Sequence, residues 1–432
     1  MAHRSFRAQR VLANIIVAAV AASPAAIAHA GPIRYEFRIV ATGSPTGEFL
    51  SVSLSKPSIG NNGRVLFSAQ YQDASGAVLI EDHGLTWRLS TEGRQPSWQN
   101  QISRDGRVAA WIEATPVGNV LKRWTDGSID LSHPANGGEV TYFRVIANDD
   151  GAIAYDNHSI IRRLSAFGVE STIGGPGSGI IQVSGIPSMT DSGHVVWSGN
   201  AETTNGLVVW QNDSVIVDGD TFDHTNQVAA SGPGLVAFVA KPRNSPSPLS
   251  TLHIYNNETI TSRHETLQQY PGGSDTYMGM NNLGDVVYLS QPSETEPYGI
   301  WVYRADGSRQ LVVAEGDTIM AGDTPVHVWR VNDRSIGPRS INDLGEVTFL
   351  CWSPGWVTEY ILVATPVEAC PADYNADTVP DVLDFLDFFD DFGQCDQLPA
   401  PCGTLGNPDL NGDTIIDVLD FLDFLDAFGQ GC

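Results

Sequence analysis

Ile341-Asn342-Asp343-Leu344-Gly345-Glu346-Val347-Thr348-Phe349 reads as a turn followed by a strand. Asn and Asp bond their own backbone in turns, Gly345 can take positive φ, and the alternation after it buries one face. The pattern recurs at residues 59–67, 102–110, 147–155, 189–197, 230–238 and 280–288, around glycines 63, 106, 151, 193, 234 and 284. Most copies end in an aromatic: Phe67, Tyr155, Trp197, Phe238, Tyr288 and Phe349. Successive glycines lie 41 to 61 residues apart, enough for the four short strands of a propeller blade.

Outward from each copy, a second strand ends in Trp or Tyr before a tight turn. Trp124-Thr125-Asp126-Gly127, Trp210-Gln211-Asn212-Asp213, Tyr255-Asn256-Asn257 and Tyr303-Arg304-Ala305-Asp306-Gly307 are the examples. Asn or Asp with Gly in a two-residue hairpin suits the twist of paired strands. A third strand ends at Val217-Asp218-Gly219-Asp220 or Val313-Ala314-Glu315-Gly316-Asp317. Residues 38–43 resemble the third strand at 311–316, while the last unit has strands at 346–350 and 360–364 and no third. The N-terminal segment is therefore expected to complete the last unit and hide its sheet edge. Residues 31–366 are read as an all-β domain, a seven-bladed β-propeller closed by its N-terminal strand. An open array and a two-sheet solenoid are the alternatives. This body resembles the exported bacterial tandem-repeat proteins marked by N-x-x-G-x-x-x-F, a pattern complete here at Asn342, Gly345 and Phe349.

Residues 367–432 are a different unit. Asp373, Asn375, Asp377, Asp381 and Asp384 occupy positions 1, 3, 5, 9 and 12 of a 12-residue loop, and Asp409, Asn411, Asp413, Asp417 and Asp420 repeat them 36 residues on. Both loops run into Phe-Leu-Asp-Phe, at 385–388 and 421–424. Oxygen side chains at this spacing are what Ca²⁺ needs, since it takes six to eight oxygens. From residue 370 to 432 there are fourteen Asp and no Lys, Arg or Glu, so the converging carboxylates repel without a cation and metal binding should be coupled to folding. Val382, Leu383, Phe385, Leu386, Phe388, Phe389 and Phe392 are expected to form a broad apolar helical face, repeated from Val418 to Phe428. The segment resembles a type I dockerin, the duplicated Ca²⁺ module that docks onto cohesins, in the variant running from Cys-Pro-Ala-Asp (370–373) to Gly-Cys (431–432). The resemblance implies two Ca²⁺ ions, EF-hand-type loops, and backbone ligands at Val379 and Ile415. It also implies a cohesin-like or cell-surface partner read through Val382, Leu383, Val418 and Leu419. Thr378 and Thr414 stand where such loops usually have Gly, and the recognition pair is apolar in both copies.

Residues 1–30 read as a secretory signal: Arg4, Arg7 and Arg10, an apolar run at 11–22, then Ala28-His29-Ala30. Without them the chain holds 21 basic and 50 acidic residues, a balance that repels nucleic acid and anionic membranes. Export permits disulfides. Five cysteines leave the pairing open: Cys370–Cys432 with Cys395–Cys402 and a free Cys351, or a rival Cys351–Cys370 link.

No H-E-x-x-H, G-x-S-x-G, P-loop or C-x-x-C occurs, the histidines are scattered singly, and no catalytic residue is assigned. Asp191-Ser192-Gly193-His194 sits at the repeat's turn position, where turn formation explains it. Most blade Trp and Tyr are expected in the core, with some lining a sugar-binding face. Two function classes follow. One is a secreted, non-catalytic recognition or scaffold protein whose propeller takes a glycan or protein ligand and whose Ca²⁺ module tethers it. The other is a secreted carbohydrate-active enzyme, by analogy with the company such modules keep.

Overall fold

A computed structural model describes residues 33–432, apart from 93–95, 117, 135–143, 157–159, 175–179, 202–206, 213, 218–221, 224–227, 232–233, 243–249, 257–258, 267–277, 292–296, 333, 369–371, 373, 375–381, 396–407, 409, 411–414 and 431–432. The expected signal segment and Cys370, Cys402 and Cys432 lie outside the described residues. Ile33–Val367 and Glu368–Cys432 fall in separate compact units.

All seven motif glycines take positive φ, between 73° and 98°. Each donates its N–H to the carbonyl three residues earlier, at 2.9 to 3.3 Å. In six copies that earlier residue is Ser, Thr or Asn, and its side-chain oxygen accepts an N–H beyond the glycine. Asn148 accepts from Ala152, Thr190 from His194, Ser231 from Leu235, Asn281 from Asp285, Asn342 from Glu346, and Ser103 from Val108. Each turn is thus tied by backbone and side chain together.

The strands form six sheets in a propeller-type arrangement. Four are separate four-stranded antiparallel blades; the first contains Pro96–Ile102, Val108–Thr115, Gly118–Thr125 and Ser128–Pro134. A fifth has five strands between Phe222–Asp223 and Thr259–Thr266. The sixth has ten and runs through the N-terminal strand, Ile33–Gly43. That strand pairs with Glu359–Glu368, the second strand of the last repeat, as the missing third strand was expected to. It also pairs in parallel with Thr318–Ala321 at Phe37 and Ala321, and with Phe49–Ser51 at Gly43 and Phe49. These continuations are why strand pairing yields six sheets where seven separate blades were expected. The inner edge of Val347–Trp352 is covered by an irregular segment, with bridges Arg330–Trp352 and Ile341–Val347 and bonds from Leu350 to Ser335 and Thr348 to Ser340.

The core lies between successive repeats. Ile146, Ala154 and Ile161 pack with Met189, Val195 and Trp197 of the next repeat, and Leu66, Val78 and Ile80 with Ala109, Trp111 and Trp124. The motif aromatics Phe67, Tyr155, Trp197, Phe238, Tyr288 and Phe349 are all buried. Cys351 is buried and free, which removes the Cys351–Cys370 link, and burial pushes its thiol pKa up. Cys395 is disulfide-bonded.

In the second unit α1 (Val382–Cys395) and α2 (Val418–Gln430) begin at loop position 10, inside the loops, as expected. Phe388 and Phe424 are fully buried, with Tyr374 beside them and Phe385, Phe392, Leu410, Phe421 and Phe428 packed around. The broad apolar face does not bury as a whole. Val382, Leu383, Leu386 and Phe389 are exposed, as are Val418, Leu419, Leu422 and Leu425. Two short helices meet along one seam only, so the flanking residues stay in solvent.

Candidate functional site

Candidate side chains lie in two places, one in each unit. In the propeller unit they come from the motif turns. The residue two before each motif glycine is Asn61, Arg104, Asp149, Asp191, Asn282 or Asp343 in the described copies. The turns bring these together from distant repeats. Arg104 Nη1 donates to Asp343 Oδ1 at 2.8 Å, 239 residues away, and its Nη2 reaches the Met280 carbonyl at 3.3 Å. Asn61 and Asp343 exchange two bonds of 2.8 Å, side chain to side chain and Asp343 N–H to Asn61 Oδ1. Asn282 gives Asp343 a backbone bond of 2.7 Å and reaches both Asp191 and Asp343 with its amide at 3.1 Å. Arg339, outside the motif, donates to the Met189 carbonyl at 3.0 Å and lies 3.9 Å from Asp191.

Both arginines are 2 % exposed. Burial works against the Arg339 charge, as does Arg104, while Asp191, Asp149 and Asp343 favour it; guanidinium keeps its proton in such settings. Asp343 is held below the ordinary carboxylate range: burial pushes it up, but the Asn282 N–H, Arg104 and Asn61 outweigh that. Asp149 is pushed up, chiefly by burial, although the Asp105 N–H opposes it. Asn residues three before the glycine stitch neighbouring turns, from Asn148 to the Asp191 carbonyl, Asn281 to Asn342 and Asn342 to Gly60. Turn formation was the expected role of the Asn and Asp residues among these, with ion binding the alternative. Their recurrence at one register was the signal for a joint network, and Arg339 carried no such signal.

In the helical unit Asp384 and Asp420, position 12 of each loop, are both fully buried. Asp420 Oδ1 accepts the Leu410 N–H at 2.7 Å and Oδ2 the Asp417 N–H at 2.9 Å, so the loop curls back on its last carboxylate. Asp417 Oδ1 in turn accepts the Leu419 N–H at 2.8 Å, capping α2. Ile415 is exposed and forms a β-bridge, and Ile416 is buried. Asp373, Asn375, Asp377, Val379, Asp381, Asp409, Asn411 and Asp413 lie outside the described residues, and among the described residues no group of three or more His, Cys, Asp or Glu gathers for a metal. Asp384 and Asp420 are hard-oxygen donors of the type a hard cation takes, in a segment without Lys, Arg, Glu or His. Val382, Leu383, Val418 and Leu419, where the sequence led us to expect partner contact, are 52 to 63 % exposed.

Trp329 and Trp356 meet edge to face at 5.1 Å, with Arg330 over Trp356 at 5.2 Å. Trp87 lies half exposed near Trp124. Among the described residues no helix is long and apolar enough to cross a membrane.

No protein-family model matches this chain, and no curated protein matches it significantly in sequence. Among solved structures, selenomethionine-substituted virginiamycin B lyase from Staphylococcus aureus is similar at 13 % identity over 77 % of this chain and 100 % of that chain, with a TM-score of 0.46. An oligogalacturonate lyase in complex with manganese is similar at 13 % identity over 78 % and 97 %, TM-score 0.45. A puromycin-hydrolyzing peptidase of Mycobacterium tuberculosis gives 12 % identity over 75 % and 53 %, TM-score 0.47. No activity is carried over from these likenesses.

Proposed function

We propose that this chain is an exported, non-catalytic recognition protein: a seven-bladed propeller that holds a ligand, tethered through a dockerin-like module that binds two Ca²⁺ ions. The carrying observation is the duplicated placement of Asp384 and Asp420, each fully buried in the first turn of its helix and one turn before a stacked core phenylalanine. Asp373, Asn375, Asp377, the Val379 carbonyl, Asp381 and Asp384 would hold one ion. Asp409, Asn411, Asp413, the Ile415 carbonyl, Asp417 and Asp420 would hold the other. Each ion supplies positive charge that offsets the repulsion among these carboxylates and fixes the loop entering its helix. Exposed Val382, Leu383, Val418 and Leu419 then offer two matching apolar patches to a cohesin-like or cell-surface partner. Seven blades follow if the ten-stranded sheet is counted as the first and last repeats joined by the N-terminal strand. Calorimetric Ca²⁺ titration of the full chain should give two ions, and Asp384→Asn with Asp420→Asn should abolish binding. Pull-down from the native secretome should retain a partner with Ca²⁺ and lose it with chelator. Absence of Ca²⁺ binding would sink the reading.

A carbohydrate-active enzyme is the second reading. It draws on Asp149 and Asp343, two carboxylates of one network shifted in opposite directions, a pattern of acid–base pairs. Product release from polysaccharide, lost in both Asp149→Asn and Asp343→Asn, would establish it.

A further inference from the structure

We infer that a groove between the first two repeats binds a neutral carbohydrate. This rests on the recognition reading above and names the site and the ligand class. The groove measures about 810 Å³, within the size of small-ligand pockets. Ile80, Leu89 and Trp124 form its floor and are continuous with the core between these repeats. Trp87 and Ile129 form its walls and are each 46 % exposed. Trp87 sits on the short outer strand Leu85–Arg88, opposite Ile80. A solvated outer strand is ordinarily polar on its free face, so a half-exposed indole there is not accounted for by the core.

The polar end is built and aimed. Arg64 lies over Trp124 at 5.7 Å and is held by Asp82 at 2.9 Å. Asp126 stands 3.7 Å from Arg64 and 2.6 Å from Arg107. Asp126 and Gly127 occupy the hairpin turn with φ of 40° and 103°, which projects the carboxylate beside the indole. Arg88 also lines the groove, its guanidinium donating to the carbonyls of Gly76 and Ser90 over the Tyr71 ring. Arg64 is therefore flanked by Asp82 and Asp126, which offset its charge, and the groove lining mixes both signs, with Arg64, Arg88 and Asp126. Such a site suits a polyol. The C–H face of a pyranose packs on the Trp87 indole, its hydroxyls donate to Asp126, and Arg64 donates to its oxygens. A net charge of −26 on the chain works against polyanionic glycans.

The test is calorimetry of the full chain with cellohexaose, xylohexaose, mannohexaose and, as the charged comparison, hexagalacturonate. At least one neutral hexasaccharide should bind. Trp87→Ala and Asp126→Asn should each weaken it tenfold or more with melting and Ca²⁺ stoichiometry unchanged, and Trp329→Ala should leave it intact. Should Asp126→Asn misfold, Trp87→Ala decides alone, since its side chain is half outside the core. The inference is overturned if no neutral sugar of the panel binds, if Trp87→Ala binds as well as the parent, or if the groove protects only a peptide ligand. Two bound Ca²⁺ ions with no sugar binding would remove the groove while leaving the tethering reading standing.

Discussion

The rings of Phe388 and Phe424 stack in parallel, centroids 4.2 Å apart and planes 4° from each other. They occupy the same position in the two copies of the C-terminal repeat, so the stack joins equivalent points of α1 and α2. Asp384 and Asp420 lie one helical turn before them, on the same helix face. Under the proposed Ca²⁺ reading, loop closure around each ion and packing of the helix pair would be one event. Phe424→Ala should cost roughly 3–5 kcal/mol and lower Ca²⁺ affinity at both sites. Titration of the variant decides it: loss at the second site alone would mean that the loops close independently.

The N-terminal strand carries three pairings, to Glu359–Glu368, Thr318–Ala321 and Phe49–Ser51. Phe37 also meets Phe349 edge to face at 6.3 Å, and Tyr35, Phe37 and Ile39 pack on the core of the last repeats. Deleting residues 33–40 should expose strand edges and give aggregation or a large fall in melting temperature. A truncated chain that stays monodisperse with unchanged melting would contradict closure.

Arg104 and Asp343 tie repeats that are far apart in sequence. Without Arg104 the part-buried Asp343 keeps its bonds from Asn61 and Asn282 but loses its charged partner, so Arg104→Met should destabilise the propeller by about 1–3 kcal/mol. Arg104→Met with Asp343→Leu should recover part of that loss. A double-mutant cycle by denaturant melts checks the coupling; additive effects would show that the 2.8 Å contact carries no net energy.

The turn register was legible because Gly at positive φ with Asn, Ser or Thr three residues before it is a local requirement, met within a few residues. The missing third strand was legible for a similar reason, since residues 38–43 carry the strand's own pattern. Fusion of sheets was not, because parallel pairing of Phe37 with Ala321 depends on where a ring places its ends. Nor was the network among the turns. Asp191 and Asp343 look like ordinary turn formers, and only the converging turns give them shared partners. Arg339 sits in an irregular segment and has no periodic neighbour. In the helical unit the repeat placed Phe388 and Phe424 on a broad apolar face, but did not show how few of its residues two helices can cover.

His253 gives the propeller a pH dependence. It lies between Phe222 and Phe238, at 4.8 and 5.0 Å, with its Nδ1 3.2 Å from Ser262 Oγ. Burial pushes its pKa down to about 4, only partly opposed by a bond to the Ala240 backbone. The unfolded chain takes up a proton near pH 6.5 that the folded chain refuses until about pH 4. Stability from this group is therefore complete above pH 6.5 and falls between pH 6.5 and 4, by up to roughly 3 kcal/mol. Denaturant melts across that window should show the fall, and His253→Phe should flatten it. An unchanged slope in the variant would assign the dependence elsewhere.

The two proposed Ca²⁺ sites should be unequal, with the loop from Asp409 to Asp420 the tighter. Both loops offer the same ligand types, so charge does not separate them. Backbone chemistry does. Position 8 of such a loop gives its N–H to a short bridge with the partner loop. In the second loop this residue is Ile416, buried, β-branched and able to donate, next to Ile415, which carries the β-bridge in the structure. In the first it is Pro380, which has no N–H and fixes φ. One bridge bond is lost, roughly 0.5–1.5 kcal/mol, or up to about tenfold in affinity. Gly412 at position 4 of the second loop, against Ala376 in the first, also eases the wrap around an ion. Calorimetry on the full chain with Asp373→Ala and Asp409→Ala assigns the two steps. Asp409→Ala should remove the tight step and Asp373→Ala the weak one; the reverse assignment would show that Pro380 does not set the order.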